Sequence, residues 1–323
     1  MDLSIIIPVY NVEKYLKRCY DSINLACDFS YEIIFVNDGS TDSSLEIIEK
    51  IVLNDNRVTV VSQDNRGLSL ARNTGIAKAK GDYFILLDSD DWLNFEKISK
   101  LLSYMINNDL DLLSYRLEYF DENYNSLGFR EKHPVEYEKI LSGKELLTQG
   151  YQPSSSCLFI YKRDFVVYNN LAFYPKISQQ DVEFTTRLMT KASKVYFSNE
   201  VIYNYYRHLG TISMPKTKDK VQKYLRDSVT VAFLIKQNSI GINDKEFLKT
   251  IEKNYNSVVW NLLLRLLTKP KETDFEFKKL CFKELKAKEL YPIKGALKTS
   301  FQNTTRYIFN FKSLFILVLK IRN

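Results

Sequence analysis

The chain has 323 residues, 45% hydrophobic and 26% charged, with a net charge of +7. That is ordinary globular composition, long enough for a sizeable core and for more than one domain. The charge is uneven: residues 278–323 hold 11 Lys and Arg against 2 Asp and Glu, which leaves the rest near neutral and argues against a nucleic-acid-binding body.

Other counts narrow the setting. Aromatic residues make up 14%, so a ring-rich surface or interface is expected. The four cysteines, Cys19, Cys27, Cys157 and Cys281, show no CxxC spacing, which fits a reduced cytoplasmic compartment better than a disulfide framework. The opening MDLSIIIPVYN has no basic n-region and does not read as a signal peptide. No run approaches the ~20 apolar residues of a membrane span.

The first 115 residues alternate strand and helix patterns. LSIIIPV (Leu3 to Val9) and YEIIFV (Tyr31 to Val36) are continuous apolar, β-branched runs, as buried parallel strands require. RVTVV (Arg57 to Val61), YFILL (Tyr83 to Leu87) and LDLLSY (Leu110 to Tyr115) continue the series. Helical patterns fill the gaps at Val12 to Leu25, Thr41 to Leu53, Leu68 to Ala79 and Phe95 to Ile106. This order predicts an α/β fold: a mostly parallel central sheet flanked by helices, with ligands at the carboxyl ends of the strands. Between Tyr119 and Ala192 the pattern is mixed, apart from an amphipathic helix with an acidic start over Asp181 to Ala192. KVYFSNEVIYNYYRH reads as short strands. Beyond Thr217 the reading is all helical: Lys218 to Gln237, Asp244 to Leu267, Phe275 to Lys288, and a last segment from Lys294, with LTKPKETD the most linker-like stretch. We therefore expect a first domain over 1–215 and a helical C-terminal region over 216–323.

Polar residues gather at three strand ends. Asp88, Ser89, Asp90 and Asp91 follow an apolar run directly, and carboxylates that close repel one another unless something positive offsets them. Two aspartates one residue apart can hold a hard divalent cation while leaving room for phosphate oxygens; the competing reading is a helix-start cluster, although Asn94 already suits that cap. In VNDGSTD, turn and cap chemistry accounts for Gly39, Ser40 and Asp42 but less well for Asp38, which is placed to accept from a ribose hydroxyl or a base N–H. Arg72, in NRGLSLARNTGI, can meet a diphosphate or be a solvated helix arginine.

SIIIPVYN, VNDGSTD, NRGLSLARNTGI and LLDSDDW, in this order and spacing, resemble the family 2 glycosyltransferases, with the similarity continuing through ISQQDVEF and VIYNYYRHLGTIS. The resemblance implies the GT-A fold, a nucleotide-sugar donor, and Mn2+ or Mg2+ as cofactor. Pro8, Val9 and Tyr10 match the segment framing the base, Asp38 the acid holding base or ribose, and Arg72 the arginine near the nucleotide. Asp88 and Asp90 match the DxD acids around Ser89, with Asp90 the direct metal ligand; Asp91 is the extra acid facing the donor sugar. Asp181 matches the general base of inverting members, although Gln180 stands where the family usually has a glutamate. His208 matches a position that contacts metal or diphosphate in some members. His133 receives no role.

The last segment, TRYIFNFKSLFILVLKIRN, mixes aromatic and basic residues and is too short to span a bilayer. It suits an anionic membrane interface, or packing on the domain, or a homodimer contact. The expected activity is inverting transfer from a UDP-sugar to a glycan or lipid-linked saccharide acceptor in surface-polysaccharide synthesis, in the cytoplasm or peripherally on the membrane's inner face. A non-catalytic sugar-nucleotide-binding or scaffold protein is the alternative. A nucleotidyltransferase ranks last, because PVYNVEKYLKR has no glycine-rich loop for a triphosphate.

Overall fold

A computed structural model describes residues 1–24, 26–129, 134–208, 217–269 and 271–311. His133, the GTIS end of the last strand motif and residues 312–323 of the basic tail lie outside the described residues. The chain forms two compact units: residues 1–176 with 188–209, and residues 177–187 with 210–323.

The first unit opens as the alternation predicts: β1 (Leu3–Val9), α1 (Glu13–Asp21), β2 (Tyr31–Asn37), α2 (Ser44–Asn54), β3 (Val58–Ser62), α3 (Leu68–Lys78) and β4 (Tyr83–Leu86). β1 and β2 are buried along their whole length, which explains their mostly apolar sequence; buried Ser4 donates to Glu32 Oε1 at 2.7 Å across the pair. β5 (Trp92–Leu93), a 3-10 turn and α4 (Ile98–Asn107) follow, then β6 (Leu112–Phe120), β7 (Ser126–Phe129), β8 (Ile140–Leu141), α5 (Gly143–Gln149), β9 (Phe159–Lys162) and α6 (Arg163–Tyr168). Next come α7 (Gln180–Lys191) and β10 (Val195–Tyr206). Among the described residues the sheet order is β3-β2-β1-β4-β9-β6-β10-β5, with β7 on β6 and β8 on β10. β1 to β4 are mutually parallel, and β6 is parallel to β10.

Two features depart from the sequence reading. β6 does not sit beside β4, because β9 inserts antiparallel between them. β9 escaped notice because FIYK runs from a 3-10 turn straight into α6, with no turn residues to mark its ends. The expected short strands after Lys194 form one strand, β10, whose register shifts between Phe197 and Val201. A bulge of that kind carries polar residues through a strand without ending it.

α3 packs closely on β1. A Cβ at Gly75 would meet Ile6 Cγ2 at 2.2 Å, so only glycine allows this approach.

The second unit adds α8 (Lys218–Gln237), α9 (Lys245–Thr268), α10 (Phe275–Ala287) and α11 (Ser300–Asn310). Side chains of Thr217, Asp244, Asp274 and Thr299 cap their starts. Leu225, Val229, Val259, Leu263, Cys281 and Leu285 build its core. α11 docks through Phe309 and through Trp260 Nε1, which donates to Thr305 Oγ1 at 3.0 Å. Among the described residues no helix is long and apolar enough to cross a membrane.

Candidate active site

The loops after β1 and β2 are stitched together. Asn11 Oδ1 accepts from Thr41 N at 2.8 Å, Asp42 Oδ2 accepts from Glu13 N at 3.1 Å, and Glu13 Oε2 accepts from Ser43 N at 2.9 Å. Asp42 thus spends its carboxylate on the neighbouring loop as well as on Ser44, and the helix cap position falls to Ser43, which makes no side-chain cap bond. Pro8 and Val9 are buried in β1 opposite Val36 and Asn37, while Tyr10 stands exposed at its end.

Asp38 is buried directly after β2. Its Oδ1 accepts from Gln63 Nε2 at 2.7 Å and Arg66 N at 2.9 Å, and its Oδ2 accepts from Gly67 N at 2.7 Å. Gly67 takes φ +89° to present that amide before α3 begins. Asp38 therefore anchors the loop carrying Gln63 and Arg66. Three of the roughly four lone-pair sites of a carboxylate are taken.

The acidic turn answers its own electrostatic problem with three separate partners. Arg72 is 1% exposed, not solvated, and its Nη2 donates to Asp88 Oδ1 at 2.8 Å, with the Phe173 ring beside the guanidinium. His208 Nε2 lies 2.9 Å from Asp90 Oδ2, and Tyr15 Oη lies 3.3 Å from the other ring nitrogen. Asp91 is 1% exposed, accepting from Tyr203 Oη at 2.6 Å and from Tyr206 N at 2.8 Å. Tyr203 Oη in turn accepts from Asp88 N at 3.2 Å. Asp91 thus ties the turn to β10 from inside the core. This corrects the expectation that its carboxyl faces the donor sugar: its oxygens point into a bonded interior.

Helix α1 supports the turn from behind. Arg18 Nη2 donates to the Asp90 carbonyl. Its guanidinium lies 4.4 Å from the Trp92 ring, 4.5 Å from Tyr206 and 4.8 Å from Tyr124. Arg18 Nε and Nη1 are buried without hydrogen-bond acceptors, so ring faces compensate this cation. The sequence reading missed Arg18, Tyr15, Tyr203 and Tyr206. The ring-rich YNYYRH was the available signal, but its partners lie more than 100 residues away.

Burial, with the neighbouring charges of Asp90 and Asp88, pushes the Asp91 carboxyl well above the usual carboxylate range. Burial also raises the Tyr203 hydroxyl, with the Asp91 charge adding to it, and raises Tyr15, where Asp90 contributes.

Asp90, His208 and Asp88 supply carboxylate oxygen and imidazole nitrogen, a donor set that fits Mn2+ or Mg2+. In the structure Asp88 is turned to Arg72, and among the described residues no group of three or more such ligands is gathered. Ser89 lies buried between the two acids.

Asp181 belongs to the second unit, in the first turn of α7, as its sequence position suggested. The segment leading into α7 is held by α8: Asp227 Oδ2 accepts from Ser178 N at 2.8 Å and Ser178 Oγ at 2.7 Å, and Gln179 Nε2 donates to Ser228 Oγ at 2.6 Å. Gln180 is buried, and Glu183 pairs with Arg187 at 2.8 Å.

Comparisons with known proteins bear on the family and the fold. The chain is 29% identical to the uncharacterized glycosyltransferase YibD of Escherichia coli K12 over 249 residues, 75% of this chain and 72% of that protein. Its fold matches S. aureus TarS 1–349 in complex with UDP at a TM-score of 0.72 and 18% identity, covering 99% of this chain and 90% of the other. It also matches the mannosyltransferase PcManGT of Pyrobaculum calidifontis, in complex with GDP-Man and Mn2+, at a TM-score of 0.54 and 13% identity, covering 99% and 86%. Both neighbours share the GT-A fold expected from the sequence. The model for glycosyl transferase family 2 matches residues 4–166, half of the chain, and the chain belongs to that family.

Proposed function

We propose that the chain is an inverting, divalent-metal-dependent glycosyltransferase. It moves a hexosyl or N-acetylhexosaminyl group from a UDP-sugar to a hydroxyl of a glycan or lipid-linked saccharide in surface-polysaccharide synthesis. The observation that carries this reading is the approach of His208 Nε2 to Asp90 Oδ2 at 2.9 Å, two residues from an Asp88 held by buried Arg72. The UDP bound to TarS and the GDP-Man and Mn2+ bound to PcManGT support the donor chemistry.

In this reading Pro8, Val9 and Tyr10 frame the base. Asp38 fixes the Gln63–Gly67 loop and keeps one lone pair for base or ribose. Arg72 sets the orientation of Asp88 and places positive charge near the diphosphate. Asp90, Asp88 and His208 would hold the cation, which when bound would neutralise charge on the departing nucleoside diphosphate. Asp181 accepts the proton of the acceptor hydroxyl as its oxygen bonds to the anomeric carbon. The bond from that carbon to the diphosphate oxygen breaks, and the configuration inverts. Asp91 is a structural post.

The test is release of nucleotide from a panel of UDP- and GDP-sugars, with and without Mn2+. Metal-dependent release from one donor, lost in Asp90→Asn and Asp181→Asn, is the expected result. Release that survives both substitutions would refute the assigned roles.

A further inference from the structure

Asp181 sits where a helix is least fixed. It is the second residue of α7, and helix ends fray. A carboxylate there takes its position from whatever holds the helix start. Misplacing a reacting group by about 1 Å can cost roughly a hundredfold in rate.

Helix α8 holds that start, within the same compact unit. Two consecutive α8 residues bind the two residues that precede α7. Asp227 Oδ2 accepts from both Ser178 N and Ser178 Oγ, so the main chain and the side chain are fixed together. Ser228 Oγ accepts from Gln179 Nε2 at 2.6 Å, and Gln179 Nε2 also donates to the Tyr224 carbonyl at 3.3 Å. Tyr224, Asp227 and Ser228 stand at i, i+3 and i+4, so one stripe of α8 makes all of these bonds. Lys223, one turn before Asp227, donates to the same carboxylate oxygen at 2.6 Å and compensates its charge.

Aspartate and serine are weak helix formers, yet α8 carries them side by side at the middle of its 20 residues. Their side chains bond to the α7 entry, which is what such a pair can do there that alanine cannot. We propose that Asp227 and Ser228 are positioning residues for Asp181. They fix the start of α7 so that its carboxylate meets the acceptor hydroxyl in one geometry. Through α8 the helical unit then takes part in the reaction. The proposal rests on the reading of Asp181 as general base.

Turnover of UDP-glucose, UDP-galactose and UDP-N-acetylglucosamine with Mn2+, on the whole chain, tests it. Asp227→Ala should lower kcat about tenfold to a hundredfold and leave the donor KM unchanged. Asp227→Asn, which keeps an acceptor oxygen for Ser178, and Ser228→Ala, which keeps the Asp227 bonds, should lose less. The Asp227→Ala/Asp181→Asn double variant should be no slower than Asp181→Asn alone, because the clamp acts through that carboxylate. Hydrogen exchange reads the placement without turnover: the Glu183 amide, which donates to the Gln179 carbonyl, should exchange about tenfold faster in Asp227→Ala. Wild-type kcat in Asp227→Ala, losses that add in the double variant, or unchanged exchange at Glu183 would each overturn the positioning role. Wild-type turnover in Asp181→Asn would instead overturn the base reading on which it rests.

Discussion

Replacing Asp91 separates the structural acid from its two neighbours. In Asp91→Ala, Tyr203 Oη and Tyr206 N lose the carboxylate that accepts from them at 2.6 and 2.8 Å, and both residues are buried. Each orphaned buried donor costs about 1–3 kcal/mol, a gross loss of roughly 2–6 kcal/mol. Against that stands the relief of removing a buried carboxylate next to two others, the cause of its raised titration. The losses win because both donors are fully desolvated. Asp91→Asn keeps one acceptor oxygen and removes the charge, so it should cost only about 1–2 kcal/mol.

The pH dependence fixes the sign. Because the folded pKa lies above the unfolded value, the native state binds more protons across that interval. Wild-type stability relative to Asp91→Asn is therefore greatest below the unfolded carboxylate range. It falls as pH rises through the folded pKa. Urea melts of the three proteins at several pH values measure this. A wild-type advantage over Asp91→Asn that grows with pH would refute the reasoning, as would an Asp91→Ala that melts like wild type.

Other perturbations follow from the same geometry. Asp88→Asn strips the 1%-exposed Arg72 of this carboxylate, whereas Arg72→Met strips a partly solvated carboxylate of its cation, so denaturation should show the first to be costlier, about 3 kcal/mol against 1–2. Equal or reversed costs would contradict that ordering. Gly75→Ala forces a methyl against Ile6 and should cost about 1–3 kcal/mol in thermal or urea melts, with an unchanged melt contradicting the close packing of α3 on β1. Hydrogen bonds from Arg57 hold the Asp55 carboxyl down at about 2. Its folded pKa is depressed, so the stability it adds, about 2 kcal/mol, is present above the unfolded value near 4 and is lost as pH falls toward 2; NMR titration of the carboxyl carbon checks this. α11 exposes Phe301, Tyr307 and Ile308, with Phe311 exposed at its C-cap; if this segment meets a membrane interface, the Phe301→Ser/Phe311→Ser double variant binds phosphatidylglycerol vesicles about tenfold more weakly in co-sedimentation, and equal or absent binding in both proteins contradicts that use.

How much of this was legible in the sequence depends on the range of the interaction. β1, β2 and β4 announced themselves because they are buried along their whole length and read as apolar runs, and β3, at the sheet edge, did so through its β-branched residues. β9 did not, because its four residues run from a 3-10 turn into α6 without turn residues to set them apart. The acids Asp38, Asp88, Asp90 and Asp91 were visible as a pattern of strand ends. Their partners were not: Tyr203 and Tyr206 are more than 100 residues from Asp91, and His208 is as far from Asp90. Burial decided the remaining cases. Arg72 could be read as solvated or site-directed until its 1% exposure placed it inside, and Asp91 could be read as a sugar contact until its oxygens were found bonded to β10. Asp38 lay in between, since its position was clear and its three donors from residues 63–67 were not.

In the proposed function, Asp90, Asp88 and His208 would hold a divalent cation that in turn holds a nucleoside diphosphate. Titration calorimetry of UDP into the protein, first with Mn2+ and then with EDTA, tests it most directly. We expect binding with Mn2+ that disappears with EDTA and in Asp90→Asn, and weakens at least tenfold in His208→Ala. UDP binding of equal strength in EDTA, or in Asp90→Asn with Mn2+ present, would contradict it.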